Sequence, residues 1–330
     1  MRQLWRLVAS LAPCAVIAAL LAGCAPGAAD GATAPVNPSG PAHARVVVTT
    51  DFGTRPLLDV VVGLDADMSA MEALESVAET QTAYGGGFLR GINGVGSGDA
   101  GNSTKADWFY YVNGLTARTG AKDYVLRDGD VEHWDRHPWN SYRGLSAVIG
   151  CFPWAFVNGY GGERRPAVVA YEAAYSAEAG AIASLLERSG AADVLLVPLA
   201  DVTPQQRESC HLVIVAGPDA GLVCELFEKR TQLGFFTSLE GSVLRTYSPS
   251  GEETARFDAA TGVLTATQSP WNPKGTGACE NVVVVVSGCD PVGVRAAARA
   301  LVSSHEQFLT WCGAVVDADG NVRPVPAAVS

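Results

Sequence analysis

Apolar and polar positions follow two different rhythms along this chain. From about Arg45 to Trp139, short β-branched or aromatic runs are separated by polar turns. From about Ser146 onward, nearly unbroken apolar runs alternate with Ala- and Leu-rich amphipathic stretches. In the first half, Arg45–Phe52 and Leu57–Leu64 predict two strands with a turn at Arg55 and Pro56. Ser69 and Glu72 have the spacing of a capping box, and Met71, Leu74, Val77 and Ala78 make one apolar helical stripe. A helix is predicted there, ended by Gly85, Gly86 and Gly87. Trp108–Val112 predicts an aromatic strand closed by Asn113 and Gly114, and Tyr124–Trp134 a hairpin-like pair around Asp128, Gly129 and Asp130. The sum is a small α+β domain over residues 44–140, an antiparallel, β-grasp-like sheet with one helix.

In the second half, strands are predicted at Ala167–Tyr171, Asp193–Leu199, His211–Ala216 and Asn281–Ser287, and helices at Ala177–Arg188, from Asp219 to Thr231 and from Pro291 to Ser304. Asp290 followed by Pro291 is a helix start, an N-cap with proline at the first helical position. Continuous apolar strands alternating with helices mean a sheet covered on both faces, hence an α/β domain with a mostly parallel sheet over 146–330. Between Phe235 and Gln268 the alternation lacks a helix, which predicts a β insertion or edge hairpins.

The N-terminus follows neither rhythm. Arg2 and Arg6 precede an apolar run from Leu7 to Ala22, too short to span a membrane comfortably. Its end, Leu21, Ala22, Gly23 and Cys24, resembles the lipobox of bacterial lipoproteins. That resemblance implies a signal peptide over 1–23, a lipid on Cys24, and a chain anchored at the extracytoplasmic face of the bacterial membrane. Two or more acyl chains anchor stably where one does not. Residues 24–43 are rich in Ala, Gly and Pro and predict a flexible tether.

The formal charge of −11 argues against nucleic acid and against anionic lipid surfaces as partners. Beyond Cys14 and Cys24, the cysteines are Cys151, Cys210, Cys224, Cys279, Cys289 and Cys312. In an oxidising exterior they could form three disulfides, with the connectivity open. Cys279 with Cys289 is disfavoured, because an extended Val282–Val286 would hold them about 30 Å apart.

No nucleophile elbow, phosphate loop or metalloprotease pattern is present, and the carboxylates are scattered, so no catalytic residue is assigned and the chain is expected not to be an enzyme. The glycines from Gly96 to Gly101 lack the strand before and helix after that a dinucleotide site needs. Asn102, Ser103 and Thr104 form a glycosylation sequon to which no use is assigned. His133 and His137 lack a third ligand, so no metal is expected. Strand ends nominate Gly217, Asp219, Gly288 and Asp290, equally readable as turns and caps.

The aromatic residues carry more. On a strand, Trp108, Tyr110 and Val112 face one way and Phe109 and Tyr111 the other. One face packs on the helix; the other either offers flat rings to a ligand or is covered as core. The ligand-binding candidates are Trp108, Tyr110, Tyr111, Trp134, His137 and Trp139. The run from Trp108 through Asn113 and Gly114, then Gly120, Tyr124–Asp130, Val131 and Trp134, resembles the transcobalamin-like C-terminal domain found in animal cobalamin carriers and in many bacterial lipoproteins. The resemblance implies capture of cobalamin, a related corrinoid or another micronutrient, delivered to a membrane transporter, with no resident cofactor. The competing expectation is an envelope or adhesion protein with no small ligand.

Overall fold

A computed structural model describes residues 41–99, 105–138 and 144–327. Residues 1–40, with Cys24 and the tether up to Gly40, lie outside the described residues, as do Trp139 and the sequon, while His43, expected at the tether's end, opens a strand. No helix among the described residues is long and apolar enough to cross a membrane. The structure is mixed α and β, with several sheets.

The first sheet has the strand order Arg55–Gly63, His43–Thr50, Val131–Pro138, Lys105–Val112 and Gly98–Asp99. Its outer pairings are antiparallel, but His43–Thr50 and Val131–Pro138, side by side at the centre, run parallel. This corrects the expectation of a wholly antiparallel sheet. Buried on both faces, the central strands are dense in Val46, Val47, Val48, Val131 and Trp134. The edge strand Arg55–Gly63 keeps the alternation of a half-exposed element.

The helix Ala70–Val77 starts as the capping box specifies. Glu72 N–H donates to Ser69 Oγ at 3.2 Å, and Ser69 N–H donates to Glu72 Oε2 at 2.8 Å. It buries Met71, Ala73 and Leu74 against the sheet, and it ends earlier than the glycine triplet. Thr80–Ala83 and Phe88–Ile92 instead pair as strands, closed by Glu79 N–H on Asn93 Oδ1 at 2.9 Å and Asn93 N–H on Glu79 O at 2.8 Å. Thr80 and Thr82 favour that extended path. Nor is Tyr124–Trp134 a hairpin: Ser69 bridges Val125, and only Val131–Pro138 is a full strand.

The second sheet runs Val194–Pro198, Ala167–Tyr171, His211–Val215, Val282–Gly288, Gly262–Gln268, Gly313–Val316 and Val322–Val325. The first four strands are parallel, the remainder antiparallel. Gly262–Gln268 is therefore an interior strand, buried along its whole length. The insertion expected before it exists as a separate three-stranded sheet, Thr237–Glu240, Val243–Tyr247 and Glu253–Phe257. The helix Pro291–Ser304 opens on Asp290, whose side chain accepts from Gly293 N–H at 2.9 Å and Ala260 N–H at 2.8 Å. Asp290 is thus a cap, and Gly217 a turn whose N–H donates to Glu172 Oε2 at 2.7 Å.

From Pro41 onward the described residues form one compact unit. Val112 and Trp134 of the first sheet share an apolar core with Val284 and Leu301 of the second half. Tyr111 and Phe52 share another with Phe236 and Val285. All six cysteines from Cys151 to Cys312 are free thiols, which corrects the expectation of disulfides; all but Cys224 are buried.

Candidate functional site

The strand Val131–Pro138 separates two chemistries by its period of two. Glu132 and Trp134 lie on the helix side, His133, Asp135 and His137 on the side toward the second sheet. Pairing with Lys105–Val112 sets Tyr110 opposite Trp134, Tyr111 opposite His133 and Phe109 opposite Asp135. The parallel partner sets Thr49 opposite Asp135.

Asp135 is the hub. Its Oδ1 accepts from Thr49 Oγ1 at 2.7 Å and from Gly53 N–H at 2.9 Å, and its Oδ2 lies 2.6 Å from His137 Nδ1. Burial raises the Asp135 carboxyl, but the His137 bond, the nearby His137 and His133 rings and the Thr49 hydroxyl outweigh it and leave it below its ordinary value. Asp135 is thus a carboxylate at neutral pH. Thr49 spends its one proton on Asp135, so the 2.7 Å contact with His133 Nε2 requires that nitrogen to donate. His133 Nδ1 is then a bare acceptor, buried without a partner. Burial lowers His133 to about 4, keeping it neutral.

His137 donates Nδ1–H to Asp135, which leaves Nε2 as its second functional atom. Among the described residues Nε2 has no hydrogen-bond partner. The ring is clamped between Phe109, 4.0 Å away at 10°, and Phe52, 4.3 Å away at 27°. Phe52 reaches it from a turn in which Asp51, Phe52 and Gly53 all have positive φ, at 57°, 61° and 79°. A Cβ on Gly53 would fall 1.7 Å from Thr310 O, so only glycine fits there.

On the opposite face, Glu132 accepts Trp134 Nε1–H at 2.6 Å, and its second oxygen is buried without a partner. Burial raises Glu132 to about 8, so at neutral pH it is mainly a neutral acid. Tyr110 stacks on Trp134 at 4.8 Å, and its hydroxyl is likewise buried and unpartnered. Burial pushes that phenol far above its ordinary range.

A cleft opens on each side of the aromatic strand. The larger, about 440 Å³, lies on the histidine side; its walls include Tyr111, Arg118, His137, Ser146, Gln268 and Thr276. The smaller, about 360 Å³, lies on the helix side, walled by Met71, Phe88, Trp108, Tyr110, Lys122 and Trp134. Phe109 and Thr116–Arg118 border both. Both volumes fall in the range of small-molecule sites.

The sequence-derived candidates therefore divide between two clefts instead of forming one platform. Trp108 is 8% exposed, Tyr111 1%, Trp134 4% and His137 4%, while Tyr110 is partly buried. Of the two alternatives the sequence left open, rings offered to a ligand or rings covered as core, these exposures fit the covered one. One side packs on the helix and the other on the second half, and the rings contribute to the walls of two clefts. The sequence reading passed over Thr49, Asp135, Arg118, Ser146 and Gln268. For Asp135 a signal existed: His133, Asp135 and His137 at alternate positions of a strand must share a face. Among the described residues there is no group of three or more His, Cys, Asp or Glu able to hold a metal ion.

Residues 67–137 match a family model described as a domain of unknown function, DUF4430. The match lies inside residues 44–140, the first of the two segments set apart by the sequence pattern. No curated protein matches the chain. A solved structure from Ruminococcus gnavus ATCC 29149, described as "a putative metal binding protein", is 21% identical with a TM-score of 0.23, covering 30% of this chain and 98% of its own.

Proposed function

We propose that this chain is a lipid-anchored binding protein of the extracytoplasmic bacterial membrane face, which captures a small molecule in the clefts beside Lys105–Val112 and passes it to a membrane transporter. It binds its ligand and does not transform it. The observation that carries this reading is His137, clamped between two rings and oriented by a buried carboxylate, at the wall of a 440 Å³ cleft. Holding a polar group so rigidly beside open space is what a binding site requires, because little ordering remains to be done when the ligand arrives. Anchoring rests on Cys24 and its lipobox resemblance, and corrinoid capture rests on the transcobalamin-like resemblance.

Thermal-shift and calorimetric titration of the full chain in detergent tests the reading. Probes are cobalamin, cobinamide, and small organic acids and polyols. A ligand that binds the native state raises apparent stability. A shift that His137→Ala removes supports the site, and no shift with any probe rejects it. Cys24→Ser tests the anchor: the chain should leave the membrane fraction.

A protein-interaction role is the second reading, favoured by the edge strand Val194–Pro198. Its Leu195 and Leu196 are both exposed although they face opposite sides. An apolar, unpaired edge is a template for another strand.

A further inference from the structure

The charge in the larger cleft runs against the rest of the molecule. The chain is acidic overall at −11, yet among the described residues no carboxylate lines this cleft. Among the described residues its titratable walls are Arg118, His137 and Tyr111, and Asp135 stands behind His137 with both oxygens already occupied.

Arg118 is exposed at the mouth and has no carboxylate partner among the described residues. One terminal nitrogen donates to Ala278 O at 3.1 Å, and the guanidinium lies 5.7 Å from the Tyr160 ring. These contacts orient it and use one of its five N–H donors, leaving the others for an oxyanion. The polar walls nearby offer little competition. Gln268 gives Nε2–H to Ser146 O at 2.9 Å and accepts Cys279 N–H at 2.7 Å, and Ser146 Oγ accepts Gln268 N–H at 3.0 Å. Arg118 therefore supplies unspent charge-assisted donors, and Nε2 of a neutral His137 ring an unspent acceptor, with the Thr276 hydroxyl also on the wall.

Resting on the binding reading above, we propose that the ligand is a small organic oxyanion that also carries a hydroxyl or N–H donor. Its carboxylate or phosphate sits on Arg118, and its donor points to His137 Nε2. Hydroxy acids and phosphorylated polyols share this chemistry. Neither an uncharged polyol nor a cation does.

The experiment compares malate with succinate, glycerol 3-phosphate with glycerol, and malate with its diamide, by calorimetry on the full chain in detergent. Malate or glycerol 3-phosphate should bind, the first arm identifying a carboxylate and the second a phosphate. Malate should exceed succinate, and the neutral compounds should be weaker by about tenfold or more. Arg118→Gln should remove the preference for anions while leaving the unliganded melting temperature unchanged. His137→Ala should remove the preference for malate over succinate. Should that variant fail to fold, the arginine variant still decides. Neutral compounds binding as well as the anions, or anion binding that survives Arg118→Gln, overturns the inference while the binding reading stands. Absence of binding by anions, neutral compounds and corrinoids together overturns both.

Discussion

Asp135 Oδ2 lies 2.6 Å from His137 Nδ1, two residues along the same strand face, so one carboxylate fixes which nitrogen of the ring carries the proton. Asp135→Asn would set an amide N–H against a donor, because Thr49, Gly53 and His137 all donate toward this carboxylate. The expected result is a loss of about 3 kcal/mol in unfolding free energy. Denaturant titration measures it, and nitrogen NMR of His137 should show a mixture of tautomers.

Stability should depend on pH in opposite senses on the two faces of that strand. Glu132 rises from 4.5 to about 8 on folding, so the native state holds a proton that the unfolded chain releases. Its contribution is complete below pH 4.5 and is lost as pH rises toward 8. His133 falls from 6.5 to about 4 and, in the second sheet, His211 falls from 6.5 to about 3, both through burial, so their contributions are lost as pH drops below 6.5. Each group alone gives a slope of up to about 1.4 kcal/mol per pH unit. Glu132→Gln should flatten the alkaline decline between pH 6.5 and 8 and leave the acid limb in place, as read by melting temperature across the range.

Gly53→Ala tests the turn that carries Phe52. The added methyl would overlap Thr310 O, and the backbone there has φ +79°. A cost of about 3 kcal/mol or more is expected, with loss of the Phe52 contact on His137. Chemical denaturation reads the first and ligand titration the second.

Alkylation should distinguish the thiols from Cys151 onward. Cys224 is partly buried and should label quickly in the native chain; the other five should label only on unfolding. Burial also raises the thiols of Cys151 and Cys312, which keeps them protonated and unreactive. Peptide mapping by mass spectrometry after brief labelling checks this, and rapid labelling of Cys151 or Cys312 would contradict the packing.

Elements with local causes were legible in the sequence. The Ser69–Glu72 box, the Asp290–Pro291 helix start and the Val282–Val286 strand depend on neighbours within a few residues. Features set by distant partners were not. Nothing near Val46 announces that it will lie parallel to Val131–Pro138, and Thr265, Thr267 and Gln268 look like an edge although they end inside a sheet. The same distinction applies to the site. Trp108, Tyr110, Tyr111, Trp134 and His137 were recognisable by type, but alternation along one strand says which faces they take and not what covers each face. Arg118 and His137 face Ser146, Gln268 and Thr276 across one cleft because the second half packs beside the first sheet.

The parallel pairing of His43–Thr50 with Val131–Pro138 has a cost during biosynthesis. A chain made from its N-terminus presents the first strand long before its neighbour exists, since Arg45 waits for Val131. Until then the run Val46–Val48 can pair with Arg55–Gly63 on one side only, and its other edge is an open, sticky template. Early interruption of synthesis anywhere before Pro138 should therefore yield fragments that aggregate, and a chaperone that shields this segment would be needed most in that interval.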